Sequence, residues 1–214
     1  MKIALSRVHF PVTTLGPGRR LGIWFQGCSI RCVGCISADT WAVGTGEIVV
    51  SNLMEDLAPW LEACDGVTVS GGEPFDQFEA LRDLLIKIKA TVDVDVLVFS
   101  GYSLEWLRPS LDGLSGLVDA LVSDPFDQAA PRTLALRGSD NQRLTFLSPR
   151  GRDRFARYNR ASVQEDRHLD VMFGADGVTW MAGIPRDDDF VRMESIMAVA
   201  GHKALTSRSK RSRR

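Results

Sequence analysis

Three cysteines crowd into one short stretch, and they constrain the fold more than any other feature of the sequence. Cys28, Cys32 and Cys35 lie within eight residues at C-x3-C-x2-C spacing, in a chain of 214 residues with 4 cysteines. Thiolates are soft ligands that select zinc, copper(I) or an iron–sulfur cluster. The stretch is therefore predicted to be a compact loop whose three sulfurs face one metal centre.

The cysteine spacing alone leaves three interpretations open. A [4Fe–4S] cluster held by three cysteines keeps one iron free of protein, whereas zinc needs a distant fourth ligand. Thiols without any metal are the third interpretation. The histidines are scattered, and Cys64 falls on the apolar stripe of a predicted helix, where free cysteine is commonly a small buried hydrophobe. We therefore favour the three-cysteine cluster.

The composition is that of an ordinary soluble globular protein, with 44% hydrophobic and 25% charged residues. The formal net charge of −1 argues against a nucleic-acid-binding surface that extends over the whole fold. We expect no membrane span, because no apolar run approaches the ~20 residues that a span needs. The amino terminus lacks the apolar core of a signal peptide, so we expect a cytoplasmic protein. Cytoplasmic thiols stay reduced, which favours metal binding or catalysis over disulfides.

Strands and helices alternate along the first two thirds of the chain, which predicts an α/β fold with parallel strands. Each of four predicted strands ends in a distinctive loop. Because right-handed crossovers bring the ends of parallel strands to one edge, these loops should lie together. They are the cysteine stretch, Gly71-Gly72-Glu73-Pro74, Ser100-Gly101-Tyr102 and Asp124-Pro125-Phe126.

The pattern changes after Pro149, so we divide the chain into a core over 1–148 and a C-terminal extension over 149–205. The extension is predicted to contain a surface helix within 150–160, a β-hairpin over 169–182 and a helix over 187–200, packed on the core. Residues 206–214 form a basic tail without apolar residues, which we expect to be disordered.

The cysteine motif followed by Ser70-Gly71-Gly72-Glu73-Pro74 resembles the radical S-adenosylmethionine (SAM) superfamily. Leu15-Gly16-Pro17-Gly18, Asp39-Thr40-Trp41 and the segment 136–142 are similar to the activating proteins of anaerobic ribonucleotide reductase. The related pyruvate formate-lyase activases share the first two motifs. The resemblance covers residues 3–148 and implies a partial, open β/α barrel.

This resemblance also implies a mechanism. Each cysteine of the motif would bind one iron of a [4Fe–4S] cluster, and the amino and carboxylate groups of SAM would chelate the fourth iron. An electron from flavodoxin or ferredoxin would cleave SAM to methionine and a 5′-deoxyadenosyl radical. The radical would take a hydrogen from a glycine Cα of a partner, a glycyl-radical enzyme. The alternatives are a peptide or small-molecule substrate, as in the deazaguanine-forming synthases, or a non-catalytic zinc or iron–sulfur module.

The resemblance assigns site residues around three of the strand-end loops. No catalytic residue is indicated beyond the cluster ligands. Gly71 and Gly72 could let the backbone approach a ligand closely, with Glu73 near the methionine part of SAM. The expected cofactor-binding residues are Gly34, Cys35, Ile36, Gly71, Gly72, Glu73, Ser100 and Asn141, with Gly101 and Gln142 as further pocket candidates. Arg137 is expected either to balance the SAM carboxylate or to lie on the surface.

Overall fold

A computed structural model describes residues 1–173, 179–185, 189–199 and 201. The strands are β1 (Lys2–Val12), β2 (Arg20–Phe25), β3 (Glu47–Val49), β4 (Gly66–Gly71), β5 (Asp95–Phe99), β6 (Ala120–Ser123), β7 (Arg143–Phe146), β8 (Leu169–Phe173) and β9 (Thr179–Gly183). The helices are α1 (Val50–Ala63), α2 (Phe78–Thr91), α3 (Leu104–Leu111), α4 (Pro149–Phe155) and α5 (Asp189–Val199). Among the described residues, strands β1 to β7 form one sheet and β8 pairs with β9.

The large sheet has a parallel centre and antiparallel margins. Its order is β3-β1-β2-β4-β5-β6-β7, and β2, β4, β5 and β6 are parallel neighbours. Strands β1 and β7 run antiparallel to the strands beside them. The α/β class is confirmed, and the loops after the four parallel strands leave the same edge of the sheet. The finer expectation of an open barrel stays a prediction.

Helices α1 and α2, each between two parallel strands, cover one face of the sheet. The apolar side chains of α1 and α2 recur at helical spacing, so each helix presents one continuous stripe. These stripes pack on every second residue of β4 and β5, including Val67, Val69, Val96 and Val98. This packing fixes the register of the parallel strands, and with it the level at which each strand-end loop begins.

A buried ion pair ties the parallel strands together at the edge opposite those loops. Arg20, fully buried, donates from Nη2 to Asp95 Oδ1 at 2.6 Å and to the carbonyl of Val67 at 2.7 Å. Its Nε donates to Thr68 Oγ1 at 2.6 Å. Arg154 of α4 donates to the other carboxylate oxygen of Asp95 at 2.9 Å. The ion pair therefore connects β2, β4, β5 and α4.

The opposite face of the sheet is covered by the C-terminal extension. Helix α4 lies on the surface, as predicted, and one of its sides packs on the sheet. Phe155 is fully buried against Leu97, Ala120 and Val122. The predicted hairpin is present as β8 and β9, whereas its turn and the basic tail 206–214 lie outside the described residues. In the part of the chain that the structure describes, no helix has the length and apolar character needed to cross a membrane.

Candidate functional site: a cysteine-lined cavity at the sheet edge

The loops after the parallel strands surround one cavity. Its lining includes all three clustered cysteines together with Glu73 from the loop after β4. The structure brings together most of the residues that the sequence singled out. Besides the cysteines, these are Gly34, Ile36, Gly71, Gly72, Glu73, Ser100, Gly101 and Gln142.

The cysteine loop, residues 27–35, is fastened to the neighbouring strand-end loops by side-chain hydrogen bonds. Asp76 accepts from the Ser29 backbone N–H at 2.8 Å and from Ser29 Oγ at 2.9 Å. Tyr102 Oη donates to the same carboxylate at 2.7 Å. The residue directly after Cys28 is thus connected to the loops after β4 and β5.

The three thiols are partly buried, with N–H groups nearby. Burial raises the pKa of each thiol, and the nearby N–H groups oppose that effect. The backbone N–H of Phe126 lowers the pKa of Cys32 in this way, and the indole of Trp41 lowers that of Cys35. Such donors stabilise a thiolate, which is the form that binds metal. Sequence reasoning missed both donors, although Trp41 stands in the Asp39-Thr40-Trp41 motif.

The donor set fits a cluster better than a single ion. Among the described residues, no three His, Cys, Asp or Glu side chains converge closely enough to hold one metal ion. Zinc bonds of about 2.3 Å require ligand sulfurs roughly 3.8 Å apart, whereas in a cubane each cysteine binds a different iron. Three cysteines that line one cavity, each able to bind a different iron, therefore fit a [4Fe–4S] cluster.

Gly71 and Gly72 allow the loop after β4 to approach the chain's own backbone. A Cβ on Gly72 would lie 2.0 Å from the carbonyl oxygen of Gly27, and one on Gly71 would lie 2.4 Å from the Phe25 nitrogen. Gly72 N–H donates to the Phe25 carbonyl and Glu73 N–H to the Gly27 carbonyl, each at 2.8 Å. The glycines thus hold the loop after β4 against the start of the cysteine loop, whatever ligand they also contact.

Glu73 is a buried carboxyl that joins two loops at the cavity. Its Oε1 accepts from Phe75 N–H at 3.0 Å and from Ser100 Oγ at 2.8 Å, and its Oε2 accepts from Gly101 N–H at 2.8 Å. Burial raises its pKa from 4.5 to about 7, although these donors oppose the shift. Between those two pH values the folded state holds a proton that the unfolded state has lost. Stability from this group is therefore present at low pH and lost as the pH rises towards 7.

Two of the sequence-predicted residues lie away from the cavity. Asn141 is exposed, and its side-chain amide donates to the Pro125 carbonyl at 2.8 Å. Its neighbour Gln142 lines the cavity instead, and Gln142 Oε1 accepts from the backbone N–H of Gly138 at 2.8 Å. Arg137 is buried beneath the loop and donates to Asn159 Oδ1 at 2.8 Å.

Sequence reasoning also missed a wall of the cavity that comes from the extension. Residues 181–185 at the end of the hairpin, together with Phe190 of α5, line the same cavity as the cysteines. Arg7 of β1 lines it too, with its guanidinium 4.2 Å from the ring centre of Trp180 and 5.4 Å from that of Trp24. The alternating pattern of the hairpin predicted its strands but not which surface they would cover.

Three cysteines that line a cavity at the carboxyl edge of a parallel sheet are typical of an α/β protein with a metal centre. Comparison with known proteins agrees, since the sequence family described as a 4Fe-4S single cluster domain matches residues 14–145. The chain belongs to this family, in the group formed by the anaerobic ribonucleoside-triphosphate reductase-activating proteins and the pyruvate formate-lyase-activating enzymes. The resemblance found in the sequence is thereby confirmed.

The similarity to individual relatives is moderate, and it extends over most of the length of the two ribonucleoside-triphosphate reductase-activating proteins. The activating protein of Enterobacteria phage T4 is 31% identical over 134 residues, which are 60% of this chain and 85% of that protein. The activating protein of Vibrio cholerae is 31% identical over 144 residues, 63% of this chain and 92% of that protein. The pyruvate formate-lyase-activating enzyme of Listeria monocytogenes is 39% identical over 99 residues, 42% of this chain and 40% of that enzyme.

Proposed function

We propose that this chain is a radical SAM enzyme that activates a glycyl-radical enzyme, such as anaerobic ribonucleotide reductase. The observation that carries the proposal is the shared cavity, in which the three cysteines of one loop meet Gly72 and Glu73 of the next. The relatives are named as activating proteins of such enzymes, and the family is described as a 4Fe-4S domain. Both facts support an activase role.

The cysteines would hold the cluster, which supplies an electron and one iron free of protein ligands when bound. The Glu73 carboxylate accepts two hydrogen bonds from the protein at Oε1 and one at Oε2. One lone pair of Oε2 is therefore left to accept a hydrogen bond from the ammonium group of SAM. Ser100 fixes the orientation of that carboxylate. Gly34 and Ile36 lie beside the third cysteine, where their backbone could contact the cofactor.

The proposed reaction balances with one electron for each SAM. When bound, the cluster would pass one electron from flavodoxin or ferredoxin to SAM, which would break the sulfonium S–C5′ bond and give methionine and a 5′-deoxyadenosyl radical. That radical would take a hydrogen atom from a glycine Cα of the partner, to give 5′-deoxyadenosine and a glycyl radical. The chain's contribution is to orient SAM and to keep water from the cavity, whose lining is largely apolar.

The division into a core over 1–148 and an extension over 149–205 is part of the same proposal, as is an open-barrel shape for the core. The parallel strands β2, β4, β5 and β6 would form the wall that carries the cofactor loops. The contact of α4 and of the hairpin with the sheet face supports an extension packed on the core.

Anaerobic reconstitution tests the cofactor chemistry. Protein loaded with iron and sulfide should release 5′-deoxyadenosine from SAM when dithionite is added. Cys35→Ala should lose both the cluster and this release, and Cys64→Ala is the matched control because Cys64 is buried in the core between α1 and the sheet. A wild-type protein that holds a cluster and binds SAM but never cleaves it would contradict the proposal.

The choice of substrate needs a separate measurement. The loaded protein can be incubated with SAM, reductant and a candidate glycyl-radical enzyme, and the glycyl radical sought by electron paramagnetic resonance. SAM cleavage with no radical on any such enzyme would favour the alternative of a different peptide or a small-molecule hydrogen donor.

A further inference from the structure

The C-terminal extension contributes directly to the cavity that holds the cysteines. Among the residues of the extension that the structure describes, 181–185 and Phe190 are in the lining, and we call these six the C-terminal wall. All six are uncharged, whereas the lining contributed by the core includes Arg7 and Glu73. The wall therefore adds an uncharged, mainly apolar side to a cavity in which the strand-end loops already place Ile30, Ile36 and Phe126.

The hairpin that carries the wall is anchored to the core by one carboxylate. Asp170 of β8 accepts from the backbone N–H groups of Thr13 and Thr14 at 2.7 and 3.1 Å. It also accepts from their two hydroxyls at 2.8 and 2.9 Å. The Ala182 carbonyl oxygen, within the wall itself, lies 3.2 Å from Thr14 Oγ1 and is an alternative acceptor for its single proton. These contacts fix β9 next to the end of β1.

Packing reinforces this anchor. Met172 and Ala182 of the hairpin are buried against Val12, Leu15 and Trp24 of the core. The indole of Trp180 covers the guanidinium of Arg7, a cation–π contact that holds the hairpin against the cavity rim. The wall is thus part of a hydrophobic cluster with the core and not a separate appendage.

The wall lies outside the part of the chain that the family comparison covers. The family match ends at residue 145, and the aligned segments already account for 85% and 92% of the two activating proteins described above. The recognised family features therefore end before the hairpin begins, and they assign the wall no role.

We propose that the C-terminal wall is part of the SAM-binding site, where Met181, Ile184 and Phe190 cover the apolar surface of the adenosyl group. Cofactor pockets are mostly apolar surfaces with a few placed polar groups, and here the core supplies the polar groups. An apolar cover also excludes water from a site where a carbon radical forms. The inference rests on the proposed function, because it assigns residues to the same cofactor.

Two substitutions on the hairpin provide the test. Ile184→Asp places a charge in the wall, and Val171→Asp places the same charge on β8, where Val171 is 51% exposed. SAM affinity is measured by equilibrium dialysis on cluster-loaded protein. We expect Ile184→Asp to weaken SAM binding at least 10-fold and Val171→Asp to change it less than twofold. If Ile184→Asp does not fold by circular dichroism, Ile184→Ala takes its place, with an expected loss of about fivefold.

Hydrogen–deuterium exchange gives a readout that does not depend on turnover. SAM should slow exchange in a peptide spanning 179–185 as well as in the peptide containing Gly72 and Glu73. The inference would be overturned if SAM protected the peptide containing Gly72 and Glu73 but not the peptide spanning 179–185. It would also be overturned if the folded Ile184 variant bound SAM with wild-type affinity. Either result would leave the proposed function intact. Loaded wild-type protein that binds no SAM would instead overturn both.

Discussion

Replacing Gly72 with alanine should damage the fold of the site before it affects any ligand contact. The new Cβ would lie 2.0 Å from the Gly27 carbonyl oxygen, and side-chain carbons do not approach such atoms within 3.0 Å. The two backbones must therefore separate by about 1 Å, which breaks the 2.8 Å hydrogen bond from Glu73 N–H to that carbonyl. Overpacking costs about 1–3 kcal/mol and a lost hydrogen bond about 1 kcal/mol, so unfolding should become easier by about 2–4 kcal/mol.

Thermal unfolding of the metal-free protein measures this directly. At about 2–4 °C per kcal/mol for a chain of this size, Tm should fall by roughly 5–15 °C. Gly113→Ala is the matched control, because its Cβ meets only the ring edge of Phe78, at 3.2 Å. Iron content after reconstitution should fall with Tm, since Gly27 directly precedes Cys28. If Gly72→Ala kept the wild-type Tm and iron content and lost only SAM affinity, the close-approach argument would be wrong.

Three further predictions concern charged groups. Arg20→Met leaves the buried carboxylate of Asp95 without its main partner, so the free energy of unfolding measured in urea should fall by about 3–5 kcal/mol. The control is Arg150→Met, which removes an ion pair on the surface and should leave the urea midpoint of unfolding unchanged. In metal-free wild-type protein, the free energy of unfolding should fall between pH 4.5 and about 7, because the raised pKa of Glu73 lies at the upper end of that range. Glu73→Gln should make the free energy of unfolding depend less on pH over this range. If the wild type and the variant show the same pH dependence, Glu73 is not the group responsible. Asp76→Ala removes the hydrogen bonds that hold Ser29 in the cysteine loop, so a chelator should remove iron from the reconstituted variant several-fold faster than from the wild type. Equal rates of iron loss would show that these hydrogen bonds do not protect the cluster.

The cysteine loop and the edge on which it lies could be predicted from the sequence, because both follow from local patterns. Cysteine spacing is a chemical signal, and the alternation of strands and helices determines where parallel strands end. The Gly-Gly-Glu-Pro stretch was located correctly, but its glycines also serve a contact with Gly27 that no local pattern reveals. That contact joins residues more than forty positions apart, so it depends on strand order and register.

The parts that could not be predicted are those that depend on which surface an element covers. Nothing in the sequence distinguishes Asn141 from Gln142 as a lining residue, because the turn geometry decides which side chain points inward. Helix α4 contains several arginines and reads as a surface helix, yet a single residue, Phe155, completes the packing on the sheet. The hairpin was predicted as a hairpin, but its position over the cavity depends on the four hydrogen bonds to Asp170.

The position of the C-terminal wall also bears on the order in which the protein matures. Synthesis proceeds from the amino end, so the cysteine loop and the strands that present it leave the ribosome well before residue 179 is made. During that interval Trp24 has no hairpin over it, and the loop is approachable from the side that the wall later covers. Whatever the cysteine loop binds therefore has a wider approach to it before the hairpin docks than in the finished protein.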